Sequence, residues 1–67
     1  MANLSDLIIQ HPDVISFVEL EKLVIKAAQD GEIFLHFDVK PDFRDTPRDW
    51  SMKLEAAFYW GQERPKK

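Results

Sequence analysis

Ile33-Phe34-Leu35-His36-Phe37-Asp38-Val39 changes the rhythm of the chain. Ile33, Leu35, Phe37 and Val39 alternate with Phe34, His36 and Asp38, a period of two that predicts a strand over residues 32–39. Pro41 marks its end. A strand presents backbone donors and acceptors that need partners, and only Val14 to Val18 is β-rich enough to serve as a parallel second strand. Otherwise the edge carrying Ile33, Leu35 and Phe37 pairs with another copy or with a different protein. The expected fold is therefore α+β: a short helix, a helix, a strand and a helix. The helices lie on one side of a minimal sheet, which a homodimer completes through residues 32–39. The alternative is an all-α three-helix bundle with an extended connector.

The segments on either side read as helices. Toward the N-terminus, Ser5 is placed to cap a short helix from Asp6 to about Gln10, with Leu4 and Ile9 as a hydrophobic staple. Pro12 ends it. Ser16-Phe17-Val18-Glu19 has the spacing of a capping box, with Ile15 and Leu20 as its staple. The helix it opens runs to about Gln29, and Gly31 supplies the left-handed residue past its end. Phe17, Leu20, Leu23, Val24, Ala27 and Ala28 share one face of it. Beyond the strand, Thr46 is read as a cap, Pro47 as the first helical residue and Asp49 as the capping-box acid. That last helix is expected to reach Trp60, with Gly61 as its stop. The domain then spans residues 1–61, and residues 62–67 form a basic flexible tail.

Composition narrows the functional classes. Sixty-seven residues, 45% apolar and 31% charged, describe one folded domain with a thin margin of stability. No cysteine is present, which excludes disulfides and thiolate zinc sites. No apolar run approaches the ~18 residues of a membrane span. Residues 1–6 lack the basic start and apolar stretch of a signal peptide, so the expected location is cytoplasmic. Twelve acids and nine bases give a net charge of −3, unevenly placed. Residues 1–38 hold seven acids and two lysines; residues 39–67 hold five acids and seven bases.

Catalytic signals are sparse. His36 and Asp38 share a strand face, and His11 and Asp13 would add ligands if folding brought them near, but the spacing of known metal sites is missing. Ser5, Ser16 and Thr46 are used as caps, and the two histidines lie on separate elements. The two glycines form no phosphate-binding pattern. No catalytic residue, metal, cofactor or small-molecule substrate is expected. His11-Pro12-Asp13 resembles the tripeptide of J-domain cochaperones, in which it follows a long basic helix. Residues 1–10 carry no basic residue, so the tripeptide is read as a helix break.

Two interaction classes remain. Arg44, Arg48, Lys53, Arg64, Lys66 and Lys67 interleave with Phe43, Trp50, Tyr59 and Trp60, a pattern that suits a nucleic-acid-binding accessory protein. The net negative charge opposes that reading. The last helix carries two apolar stripes instead. Trp50, Leu54, Ala57 and Phe58 suit the core; Met52, Ala56, Tyr59 and Trp60 fall elsewhere. Aromatics and methionine concentrate in the buried centres of protein interfaces. The leading expectation is a non-catalytic protein–protein interaction module, an adaptor or inhibitor of a larger protein. Small bacterial and phage-encoded regulators share this build by analogy of size. Phe34, Met52, Tyr59 and Trp60 are its expected contacts, with Arg48 and Lys53 on the rim. A self-assembling structural subunit is a third class.

Overall fold

The computed structural model describes residues 2–63. Along the chain lie β1 (Ala2–Asn3), α1 (Leu4–Gln10), α2 (Phe17–Gln29), β2 (Leu35–His36) and α3 (Trp50–Glu63). Helices dominate, and α2 against α3 is the main packing contact.

The helix boundaries follow from identifiable hydrogen bonds. At the start of α2, Ser16 has extended backbone and its Oγ accepts from the Glu19 N–H at 3.2 Å. The Glu19 carboxylate accepts in return from the Ile15 N–H at 2.9 Å, one residue earlier than a capping box requires. Ile15 is largely exposed while Leu20 is buried, so the expected staple does not form. At the other end Gly31 has φ +106°. Its N–H donates to the Ala28 carbonyl at 3.2 Å and that of Glu32 to Ala27 at 3.1 Å, a Schellman ending.

Two expected local caps are used differently. Ser5 lies inside α1, which begins at Leu4, so it does not cap that helix. Leu4 is fully buried and Ile9 is exposed, so they form no staple. Thr46 closes a turn: its Oγ1 accepts from the Phe43 N–H at 3.0 Å and its own N–H donates to the Phe43 carbonyl at 3.2 Å. The Lys53 N–H then donates to the Asp49 carbonyl at 3.1 Å, and α3 begins at Trp50, not Pro47.

Gly61 does not stop α3. It is buried within the helix, against α2, and α3 continues through Gln62 and Glu63. A Cβ added at Gly61 would lie 2.6 Å from the Ile25 carbonyl oxygen and 2.8 Å from the Ala28 Cβ. Glycine is needed here for close helix approach, not for a left-handed ending. The rest of the expected basic tail, residues 64–67, lies outside the described residues.

The strand is much shorter than residues 32–39. Leu35–His36 runs parallel to Ala2–Asn3, with Ala2 opposite Leu35 and Asn3 opposite His36. Nothing larger than this two-residue bridge forms among the described residues. Val14 to Val18 is not its partner; α2 already begins at Phe17. The alternation survives only in the middle, where Leu35 and Phe37 turn inward while Ile33 and Val39 are exposed.

Leu4, Phe17, Leu20, Val24, Leu54 and Ala57 form the buried cluster, so all three helices contribute. Leu7, Leu23, Ile25, Leu35, Phe37, Phe43, Trp50 and Phe58 pack around it. Trp50 meets Phe37 edge to face, with ring centroids 6.1 Å apart. These side chains supply the hydrophobic stabilisation that a chain without disulfides depends on.

Candidate interaction surface

α3 carries the same apolar spacing twice. Trp50, Leu54, Ala57 and Gly61 follow i, i+4, i+7 and i+11 and face the core. Met52, Ala56, Tyr59 and Glu63 repeat that spacing two residues later. Two residues are about 200° of helical rotation, so the second set points away from α2. Met52, Ala56 and Tyr59 are all exposed there, with Trp60 at their side. Of the two stripes anticipated for this helix, the second is uncovered among the described residues.

Open grooves flank that face. On one side a groove of about 450 Å³ runs between α2 and α3, lined by Glu21, Ile25, Lys53, Ala56, Ala57 and Trp60. On the other a groove of about 440 Å³ separates residues 33–37 from Glu55, Phe58, Tyr59 and Gln62. The six expected contact residues are all exposed, but they do not form one cluster. Lys53 and Trp60 line the first groove; Phe34 and Tyr59 line the second. Met52 stands on the ridge between them, and Arg48 lies in the turn ahead of α3. Of the residues assigned to a strand-pairing edge, Ile33 is exposed while Leu35 and Phe37 are turned toward the core. The Gln62 amide also donates to the Ile33 carbonyl at 3.3 Å.

Glu63, which the sequence assigns to the tail, is an exposed residue of α3. Counting the helical period past Gly61 would have placed Glu63 on the Met52–Tyr59 stripe.

Two carboxylates of the connector hold helix starts. Asp38 accepts from the Ser5 N–H at 3.0 Å and from the Ser5 hydroxyl at 2.5 Å. Asp45 accepts from the Phe17 N–H at 2.7 Å and the Val18 N–H at 3.4 Å. Both carboxylates, from the connector between β2 and α3, therefore close the open N–H groups at the starts of α1 and α2. The Ser5 side-chain and backbone bonds lower the Asp38 pKa, with a smaller contribution from His36. The Phe17 N–H, then that of Val18, lowers the Asp45 pKa. The Ser5 hydroxyl proton is directed at the Asp38 carboxylate. The His11 Nδ1–H donates to the Leu7 carbonyl at 3.1 Å. Among the described residues no three histidine, aspartate or glutamate side chains gather as metal ligands.

The aromatics proposed as base-stacking residues divide. Phe43 and Trp50 pack against the core, leaving Tyr59 and Trp60 outside. Arg64, Lys66 and Lys67 lie outside the described residues. No described helix is long and apolar enough to cross a membrane. Comparison with protein-family models, curated proteins and solved structures finds no match to this chain.

Proposed function

We propose that this chain is a non-catalytic protein–protein interaction module, an adaptor or inhibitor that covers a surface of a larger protein. The observation that carries the reading is the outward stripe of α3, where Met52, Ala56 and Tyr59 are exposed at core-like spacing beside Trp60. A small domain has little apolar area to spare, and contiguous exposed apolar surface on such a domain supports a partner. Phe34 extends the contact on the Tyr59 side, and Arg48 and Lys53 form its polar rim. The nucleic-acid alternative is weaker, since two of its four stacking residues pack inward. Strand addition by a second copy along residues 32–39 is the finer arrangement the sequence suggested. It competes with the Gln62 amide for the Ile33 carbonyl, which favours α3 as the association face.

The test is capture of binding proteins by the tagged full chain from nuclease-treated lysate, beside Tyr59→Ala, with melting curves for both. A specific protein held by the wild type and lost by an equally stable Tyr59→Ala supports the reading. Identical captures by the two chains, or recovery of nucleic acid alone when nuclease is omitted, would reject it.

A further inference from the structure

We infer that the outer face of α3 docks a second copy of this chain, the two α3 helices lying antiparallel about a two-fold axis near Glu55 and Ala56. The inference rests on the reading of α3 as a protein-binding face and names its first occupant.

A two-fold interface must be complementary to itself: if residue i meets residue j, then j meets i. A register centred between residues 55 and 56 satisfies this for the apolar residues of the outer face of α3. Met52 and Tyr59 are centred between residues 55 and 56 of α3; Arg48, in the turn two residues ahead of the helix, and Glu63, at its end, are centred on the same point along the chain. Turning a second helix end for end about that point sets Met52 of each copy against Tyr59 of the other. It also brings the turn that carries Arg48 in each copy toward the helix end at Glu63 in the other. Thioether sulfur beside an aromatic ring is a favourable contact at about 5 Å, and Arg48 and Glu63 carry opposite charges. Ala56 lies close to the axis, where a small side chain lets two helices approach.

The contact would draw its area from the ridge of α3 and from the grooves on both of its flanks. Ile33, Phe34, Met52, Tyr59 and Trp60 are 82, 56, 68, 65 and 45% exposed. The three aromatics, at 150–250 Å² each, offer roughly 330 Å², to which Ile33 and Met52 add. Arg48, Glu55, Ala56 and Glu63 enlarge it toward the ~800 Å² per partner of a standard interface. One feature opposes the pairing: Glu55 flanks the axis, so the two copies bring like charges together. Removing that charge should therefore strengthen the dimer, which no foreign partner would require. A larger protein on this face would displace the second copy, so dimer and complex exclude each other.

Sedimentation equilibrium of the full chain, from micromolar to near-millimolar concentration, tests the inference. The wild type should approach twice its 7.9 kDa mass. Arg48→Glu and Glu63→Arg should each weaken association about tenfold, and the double exchange should restore it. Glu55→Gln should tighten it several-fold. A monomer throughout the range overturns the inference, as does a dimer whose affinity ignores these four variants. In the latter case the contact lies elsewhere, such as residues 33–37. Failure here is separable from failure of the functional reading. A monomer that still loses its captured protein on Tyr59→Ala refutes only the second copy as occupant.

Discussion

Gly61→Ala pits helix propensity against helix packing, and the structure fixes which should win. Alanine is favoured over glycine in a helix interior by up to about 1 kcal/mol. Gly61 sits two residues from the end of α3, so it gains at most that. Against this, the new methyl lies 2.6 Å from the Ile25 carbonyl oxygen, 2.8 Å from the Ala28 Cβ and 3.2 Å from the Ile25 Cα. None of these neighbours can turn aside by a rotamer change. Ordinary carbon contacts are about 3.5–4.0 Å, so α2 and α3 must part by up to about 1 Å, which forfeits a quarter to a half of each dispersion contact. Overpacking costs about 1–3 kcal/mol, and rigid backbone on both sides places Gly61 at the upper end. The net expectation is a loss of about 2 kcal/mol, or about 8–16 °C in melting temperature for a domain of this size. Thermal unfolding followed by circular dichroism at 222 nm reads it, with urea unfolding as an independent check. An unchanged or raised melting temperature would refute the close approach of the two helices.

Other outcomes follow from the helix starts. Asp38 and Asp45 have lowered pKa values in the fold, so their stabilisation is full above the ordinary carboxylate range. It is lost as pH falls through the lower native values. The melting temperature should therefore decline below about pH 4. Asp38→Asn and Asp45→Asn should each melt lower than wild type at neutral pH, with a shallower acid decline. A parallel decline would contradict the role given to these carboxylates. Ser16→Ala removes the acceptor for the Glu19 N–H and should cost about 1 kcal/mol by urea unfolding. Gly31→Ala meets no neighbour within 4 Å, so any loss comes from φ +106° alone, about 1–2 kcal/mol. A loss as large as that of Gly61→Ala would challenge the distinction between the two glycines.

What could be read from the sequence was local. Ser16, Glu19 and Gly31 act within four residues of the groups they satisfy, so α2 was legible almost to the residue. Pro12 and the 3.6-residue spacing of α3 were equally direct, and the second apolar stripe was visible at once. What depends on distant partners was misread. Ser5 has a good capping side chain, but tertiary folding offers it the Asp38 carboxylate; Thr46 differs for a local reason, its hydroxyl closing the turn back to Phe43. Asp38 and Asp45 reach across 33 and 28 positions, which no short-range pattern encodes. Gly61 has the same composition signal whether it ends a helix or lies beneath another. The strand shortened because Ile33 and Val39 match the alternation while only Leu35 and Phe37 find core to cover. Of the candidate surface, the residues were legible and their division between two grooves was not.

α3 is held to have one face for folding and another for association. The melting temperature of Met52→Ala/Tyr59→Ala, measured at dilution and set beside Leu54→Ala, tests this most directly. Leu54 is fully buried, and its truncation should cost about 2–5 kcal/mol. The outer pair should stay within about 0.5 kcal/mol of wild type, as exposed positions do. A loss for Met52→Ala/Tyr59→Ala comparable to that of Leu54→Ala would place both side chains in the fold itself and contradict the assignment of a binding face.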